Sequence, residues 1–200
     1  MQLKHLPGLM RSPINEWQTI RNEKPSISNI YFTLVIILGA IAPVCGFIGT
    51  TMVGWSIGDG PVIKLTSSSA IKISILFYLA ILIAVFAIGC MIKWMGDTYG
   101  FSRSLARCVQ LSALVASPLM VLGVFLLFSE VWIIYLIGLP ALMYSVYLLY
   151  SGVPIMLDIP KEKGFLLSSA ILAVGLVTLV GLLASTVILW GMGIAPSFTN

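Results

Sequence analysis

Charge is what this 200-residue sequence has least of: Asp, Glu, Lys and Arg make up 9% of it against 59% hydrophobic residues, where a soluble domain carries about 25%. That shortage excludes a water-soluble fold. Histidine occurs once, as His5, ahead of every apolar run, so no imidazole is at hand there as a general base or metal ligand. Cys45, Cys90 and Cys108 are odd in number and lie within or at the ends of apolar runs. With no ligand spacing they form neither a disulfide framework nor a zinc site, and they read as small buried hydrophobes. A nucleophile elbow, a Walker loop and a dinucleotide fingerprint are also missing. The acids Asp59, Glu130 and Asp158 are scattered, two expected on one side of a membrane and one on the other, so they cannot act as an acid and base pair. The expectation is a non-enzyme with no cofactor.

What the sequence has is five long apolar runs, at 30–53, 73–92, 108–129, 131–150 and 165–190. A bilayer core of roughly 30 Å needs about 20 such residues in a helix. No other stretch is long enough for a soluble domain, so the fold class is all-α: a polytopic bundle of five transmembrane helices over 30–193. Residues 1–29 precede it and a short tail, 194–200, follows. Lys4, Arg11, Arg21, Lys24, Lys93, Arg103, Arg107, Lys161 and Lys163 fall on one side of this arrangement, and only Lys64 and Lys72 on the other. The excess of basic residues places the amino terminus in the cytoplasm and the carboxyl terminus outside. A basic face on such a chain meets anionic lipid head groups, not nucleic acid.

Ser12 before Pro13 is a helix start, and Ile14, Trp17 and Arg21 then share a side. The expectation is a short helix lying on the inner membrane surface, with Trp17 at head-group depth, ended by Lys24-Pro25. In the first span Ala42, Gly46, Thr50 and Gly54 recur every four residues, with Gly49 beside them. That stripe of small side chains admits another helix closely and is the expected contact of a homo-oligomer. Pro43 removes a backbone hydrogen bond, so a bend is expected near Gly39. Pro118 and Pro140 interrupt the third and fourth spans, and all three prolines are candidate hinges. Gln110, Ser112 and Ser117 require polar partners, expected on a neighbouring helix.

Candidate polar or ion sites are few. Asp59 sits in the Gly-Asp-Gly-Pro turn of the first outer loop, and Glu130 at the tip between spans three and four. Tyr144, Tyr147 and Tyr150 follow at intervals of three in span four, close to one face. Ser151-Gly152-Val153-Pro154 is expected to end that helix. In the loop after it, Asp158, Lys161, Glu162 and Lys163 are expected to compensate one another.

The stretches FIGTTMVGWSIGDG (47–60), ASPL (116–119), LLYSGVP (148–154), KEKG (161–164) and VILWGMG (187–193), with Pro13, Trp17 and Ile20 ahead of them, give the chain a wider likeness. It resembles the YIP family of five-span membrane proteins, and the pattern before span one is similar to bacterial members. The resemblance implies the fold, the topology and a bacterial inner-membrane location. Eukaryotic members bind Rab-type GTPases through a longer cytosolic amino-terminal region; only residues 1–29 precede the first span here, so that partner is not carried over. The resemblance brings no catalytic or ligand residue. The function expected is a non-enzymatic membrane protein that organises lipid or partner proteins, itself or other membrane proteins. The alternative is a small channel or transporter with a polar path around the kinked spans one, three and four.

Overall fold

The structure, a computed structural model, describes residues 2–56, 61–128, 131–192 and 195–199. Five helices are long and apolar enough to cross a membrane, as the apolar runs predict. Span one is Ile27–Val53, span two Ser67–Thr98, span three Leu105–Leu127, span four Val131–Leu157 and span five Lys161–Gly191. Helices suit this setting because hydrocarbon offers no partner to a backbone amide, and only a helix or a closed barrel satisfies every one internally. Several spans run past their apolar runs: span two continues through Lys93, whose ammonium pairs with Asp97 one turn on at 2.8 Å. Ahead of span one lie two short helices, α1 (Leu6–Arg11) and α2 (Pro13–Arg21).

The spans alternate in direction, which sorts the loops into two faces. The carboxyl-terminal face is tied by a two-residue ribbon: β1 (Lys64–Leu65) pairs antiparallel with β2 (Phe198–Thr199), Lys64 opposite Thr199 and Leu65 opposite Phe198. Around it the Ser197 hydroxyl lies 2.8 Å from the hydroxyls of both Thr66 and Ser69, and Trp55 meets Phe198 edge to face at 5.9 Å. The tail therefore ends beside the loop after span one, as an odd number of crossings requires. The other face, here the amino-terminal face, gathers α1, α2, the loop between spans two and three, and the loop between spans four and five.

Span one is interrupted just before Pro43, near the Gly39 position where the sequence places a bend. The helix is interrupted at Ala40, between segments Ile36–Gly39 and Ile41–Ile48; Pro43 has no amide to give Gly39, while the Val44 amide bonds Ala40 at 3.1 Å. Pro118 and Pro140 lie inside helices that carry on past them. Span four does not end at Ser151-Gly152-Val153-Pro154 as expected. It continues through Pro154 to Leu157, and what stops it is Asp158, at φ 56°, the single non-glycine residue in the left-handed region among those described. A carboxamide or carboxylate side chain tolerates that conformation better than most.

The stripe of small residues on span one is used inside the chain. A Cβ on Gly49 would overlap the Leu126 carbonyl of span three, and one on Gly123 would come within 2.5 Å of the Ala42 Cβ. Ala42 and Gly49 are buried against span three, whose last turn, Gly123–Leu127, tightens to a 3-10 helix alongside. The Thr50 hydroxyl bonds its own helix at Gly46, 2.7 Å away, and Gly54, at φ 80°, closes the span. Within the chain, span three packs against this stripe at Ala42 and Gly49, while Gly46 and Thr50 stay half-buried.

The polar residues of span three find partners, though not always on the next span. Ser112 donates to the Val85 carbonyl of span two at 3.0 Å and Ser117 to Leu114 of its own helix at 2.7 Å. Gln110 donates to the Gln2 side chain at 2.8 Å, so the first residues of the chain reach into the bundle.

Candidate functional site at the amino-terminal face

The amino-terminal segment is the largest departure from the sequence reading. Ser12 and Pro13 do start α2, although the Ser12 side chain makes no capping bond. The helix does not lie with Trp17 among head groups. Trp17 and Ile20 are 0% exposed and Leu9 2%, while Ile14, expected on the same side as Trp17, is 53% exposed. The reason lies in span four: a Cβ on Gly152 would sit 2.8 Å from the Trp17 indole, and the bare glycine leaves room for the ring to lie against the helix. Higher up, the Tyr144 hydroxyl donates to the Leu9 carbonyl at 2.5 Å. Lower down, Arg21 reaches Asp158 at 3.1 Å. These contacts set α1 beside the middle of span four and α2 along its last turns, with α2 and span four both running toward the amino-terminal face.

A polar cluster fastens the segment from its other side. His5, 2% exposed, places Nδ1 2.5 Å from Glu16 Oε1 and Nε2 3.2 Å from Glu23 Oε1, and Lys4 pairs with Glu23 at 2.8 Å. Burial pushes the Glu23 carboxyl up, but the Lys4 hydrogen bond and the neighbouring His5 outweigh it and hold the group below its ordinary value. The Gln2 amide donates to the Thr33 hydroxyl of span one at 3.2 Å.

Asp158 is a junction, not a member of a self-compensating loop. One carboxylate oxygen accepts from Arg21 and the other from Arg103, each at 3.1 Å, in place of the Lys161 and Lys163 partners expected from the sequence. Arg103 also donates to the Leu157 carbonyl at 2.9 Å and Arg107 to the Arg21 carbonyl at 2.9 Å. Left-handed backbone at Asp158 turns its side chain toward these arginines, and Lys163 instead covers the Phe101 ring at 5.0 Å. Asp158 is well exposed, so each pair is worth about 0–1 kcal/mol and orients more than it stabilises.

The remaining candidates are not brought together. Tyr144 serves α1, Tyr150 lies 2.8 Å from the Ser169 hydroxyl of span five, and Tyr147 is exposed with its ring 5.9 Å from that of Tyr144. Tyr144 and Tyr150 thus hold separate neighbours, and the three hydroxyls are not brought to one site. Asp59 and Glu130 lie outside the described residues. Among the described residues no three His, Cys, Asp or Glu side chains converge in a way that holds a metal ion.

Two grooves open on the outside of the bundle. One, of ≈ 480 Å³, lies between α2, the end of span four and the start of span five, with Arg21, Asp158 and Lys161 at its polar end and Ile14, Pro154 and Phe165 along its apolar walls. The other, of ≈ 470 Å³, lies at the bend of span one, where Pro43 and Phe47 face Ile75 and Tyr78 of span two. Composition alone did not single out Gly152, Arg21 or Arg103; the available signal was the glycine in the Leu148–Pro154 motif, opposite a tryptophan in a segment otherwise poor in apolar bulk.

The Yip1 domain model matches residues 8–182, a stretch that begins inside α1 and so takes in the amino-terminal helices together with the spans. The chain belongs to the Yip1 domain family. Within it, the chain is 42% identical over 191 residues to the inner membrane protein YohC of Escherichia coli K12, covering 96% of this chain and 98% of that one. The match to the YohC of Escherichia coli O6:H1 has the same extent and identity. No solved structure matches the chain. With five apolar helices, the family membership and relatives of this name make the chain a multi-pass bacterial inner-membrane protein.

Proposed function

We propose that this Yip1-family protein is a non-enzymatic organiser of the inner membrane that gathers anionic lipid at its cytoplasmic side. The observation that carries this is the amino-terminal face itself. There α2, spans three and four and their loops bring Arg21 and Arg103 onto one carboxylate, Asp158, with Arg107 on the Arg21 carbonyl and Lys161 beside them. The orientation follows from the basic residues: nine of the eleven stand on this side, and only Lys64 and Lys72 on the other, so this face is cytoplasmic and the paired tail and loop are periplasmic. Anionic lipid at the cytoplasmic leaflet is attracted by about 1 kcal/mol per basic residue near the surface.

Support for organising rather than conducting comes from how three hydroxyls between the spans are used. Tyr31 and Tyr78 bond backbone carbonyls across spans one and two at 2.8 and 3.3 Å, and Ser112 does the same between spans two and three. Groups so engaged fix helix to helix and offer a solute no free partner. The test is reconstitution into phosphatidylcholine liposomes containing pyrene-labelled phosphatidylglycerol, with excimer emission and solute and ion flux read in the same vesicles. The expected result is protein-dependent excimer emission without flux. Flux that depends on the protein and changes with Pro43→Ala would replace this reading by a transporter hinged at span one.

A further inference from the structure

The groove of ≈ 480 Å³ at the amino-terminal face has a direction. Along α2 it passes from Arg21 to Ile14, seven residues or about 10 Å deeper at 1.5 Å per residue. Along span five it passes from Lys161 to Phe165, four residues or about 6 Å deeper. Span four, its third wall, passes from Asp158 to Tyr150. All three walls therefore change from charged to apolar in the same sense, from the face into the membrane. The apolar end stays open: Ile14 is 53% and Phe165 59% exposed, and the Tyr150 ring stands 5.2 Å from that of Phe165.

The charge at the polar end is not balanced within the chain. Asp158 is the one carboxylate there, and its two oxygens are taken by Arg21 and Arg103. Lys161 has no hydrogen bond or ion pair among the described residues. Its ammonium stands at the positive end of the dipole of span five, which starts at Lys161. Two lining cations, Arg21 and Lys161, to one carboxylate that is also shared with Arg103 leave a positive mouth above an apolar slot.

We propose that this groove is a binding site for one anionic phospholipid, its phosphate against Lys161 and Arg21 and an acyl chain between Ile14 and Phe165. A free phosphate uses only the mouth, and a zwitterionic lipid brings its own cation to a mouth already positive; a phosphatidylglycerol-like lipid matches both ends. The inference names the ligand position behind the lipid-gathering reading above and rests on it.

The test is native mass spectrometry of the full chain released from micelles holding equal phosphatidylglycerol and phosphatidylcholine. The wild type is expected to carry one phosphatidylglycerol in preference to phosphatidylcholine. At about 1 kcal/mol per surface cation, Lys161→Ala should lower that preference about five-fold and Lys161→Glu about twenty-fold or more. Lys161 has no side-chain partner, so both variants should keep the wild-type unfolding midpoint, and Lys161→Gln serves as the comparison if the glutamate variant folds poorly. Millimolar inorganic phosphate should not displace the lipid. Equal retention of the two lipids, a preference untouched by any Lys161 variant, or displacement by inorganic phosphate overturns the site. If phosphatidylglycerol still clusters in liposomes with Lys161→Glu, the groove alone fails; if selectivity depends on Lys161 but no clustering occurs, the organising role alone fails.

Discussion

Gly152→Ala is a single added methyl whose effect has opposite signs depending on where Trp17 lies. If Trp17 sat among head groups, the substitution would replace a mid-helix glycine by the best helix former and stabilise span four by up to about 1 kcal/mol. In the structure the new Cβ would lie 2.8 and 2.9 Å from two indole carbons and 3.0 Å from Leu111 Cδ1. Overpacking of that kind costs about 1–3 kcal/mol, so the net change is a loss of about 1 kcal/mol. Trp17→Ala empties a fully buried indole site and should cost about 3–5 kcal/mol. The double variant decides the matter, because the alanine methyl then enters space the ring has left. Its loss should fall short of the sum of the singles by about 1–2 kcal/mol. The assay is equilibrium unfolding of the full chain in detergent micelles, with protease cleavage in residues 1–24 as a second readout. A stabilising Gly152→Ala, or strictly additive losses, would refute the packing of α2 on span four.

At Asp158, the left-handed φ of 56° and two exposed arginine pairs pull substitutions in different directions. Asp158→Gly should stay within about 0.5 kcal/mol of wild type, while Asp158→Ala, which keeps the strain and loses the pairs, should cost about 1–2 kcal/mol by the same unfolding assay. In span one, Gly49→Ala pushes a methyl into the Leu126 carbonyl and should cost about 2–3 kcal/mol, whereas Gly46→Ala meets only the tip of Leu126 at 3.6 Å and should be near neutral; neither should change the mass by analytical ultracentrifugation, since this stripe packs within the chain. The Glu23 carboxyl is held below its ordinary 4.5, so its pairing with Lys4 and His5 stabilises the fold above that pH and is lost as pH falls through the native value. Protease access to the amino-terminal segment should rise on acidification through that range, and Glu23→Gln should remove this part of the pH dependence.

The five spans and the helix interruption before Pro43 were legible because run length and a missing amide act locally. The burial of Trp17 was not. A tryptophan before a membrane span is equally at home at the interface, and what decides here is a glycine 135 positions later, a long-range fit that no local pattern encodes. Asp158 shows the same limit in charge: near neighbours Lys161 and Lys163 were the obvious partners by sequence, but a left-handed turn, invisible in composition, aims the carboxylate at Arg21 and Arg103. The stripe of Ala42, Gly46 and Gly49 suggested a close-packing face, but spacing along one helix does not say which helix packs there; within the chain, Ala42 and Gly49 meet span three.

The claim that this protein gathers anionic lipid is tested most directly by the lipids that leave a membrane with it. The full chain would be excised from bacterial inner membranes in polymer-bounded discs, without detergent, and its annular lipids quantified against the bulk membrane. Enrichment of anionic over zwitterionic phospholipid, reduced by Lys161→Glu, is the predicted result; an annulus with the bulk composition would contradict the account.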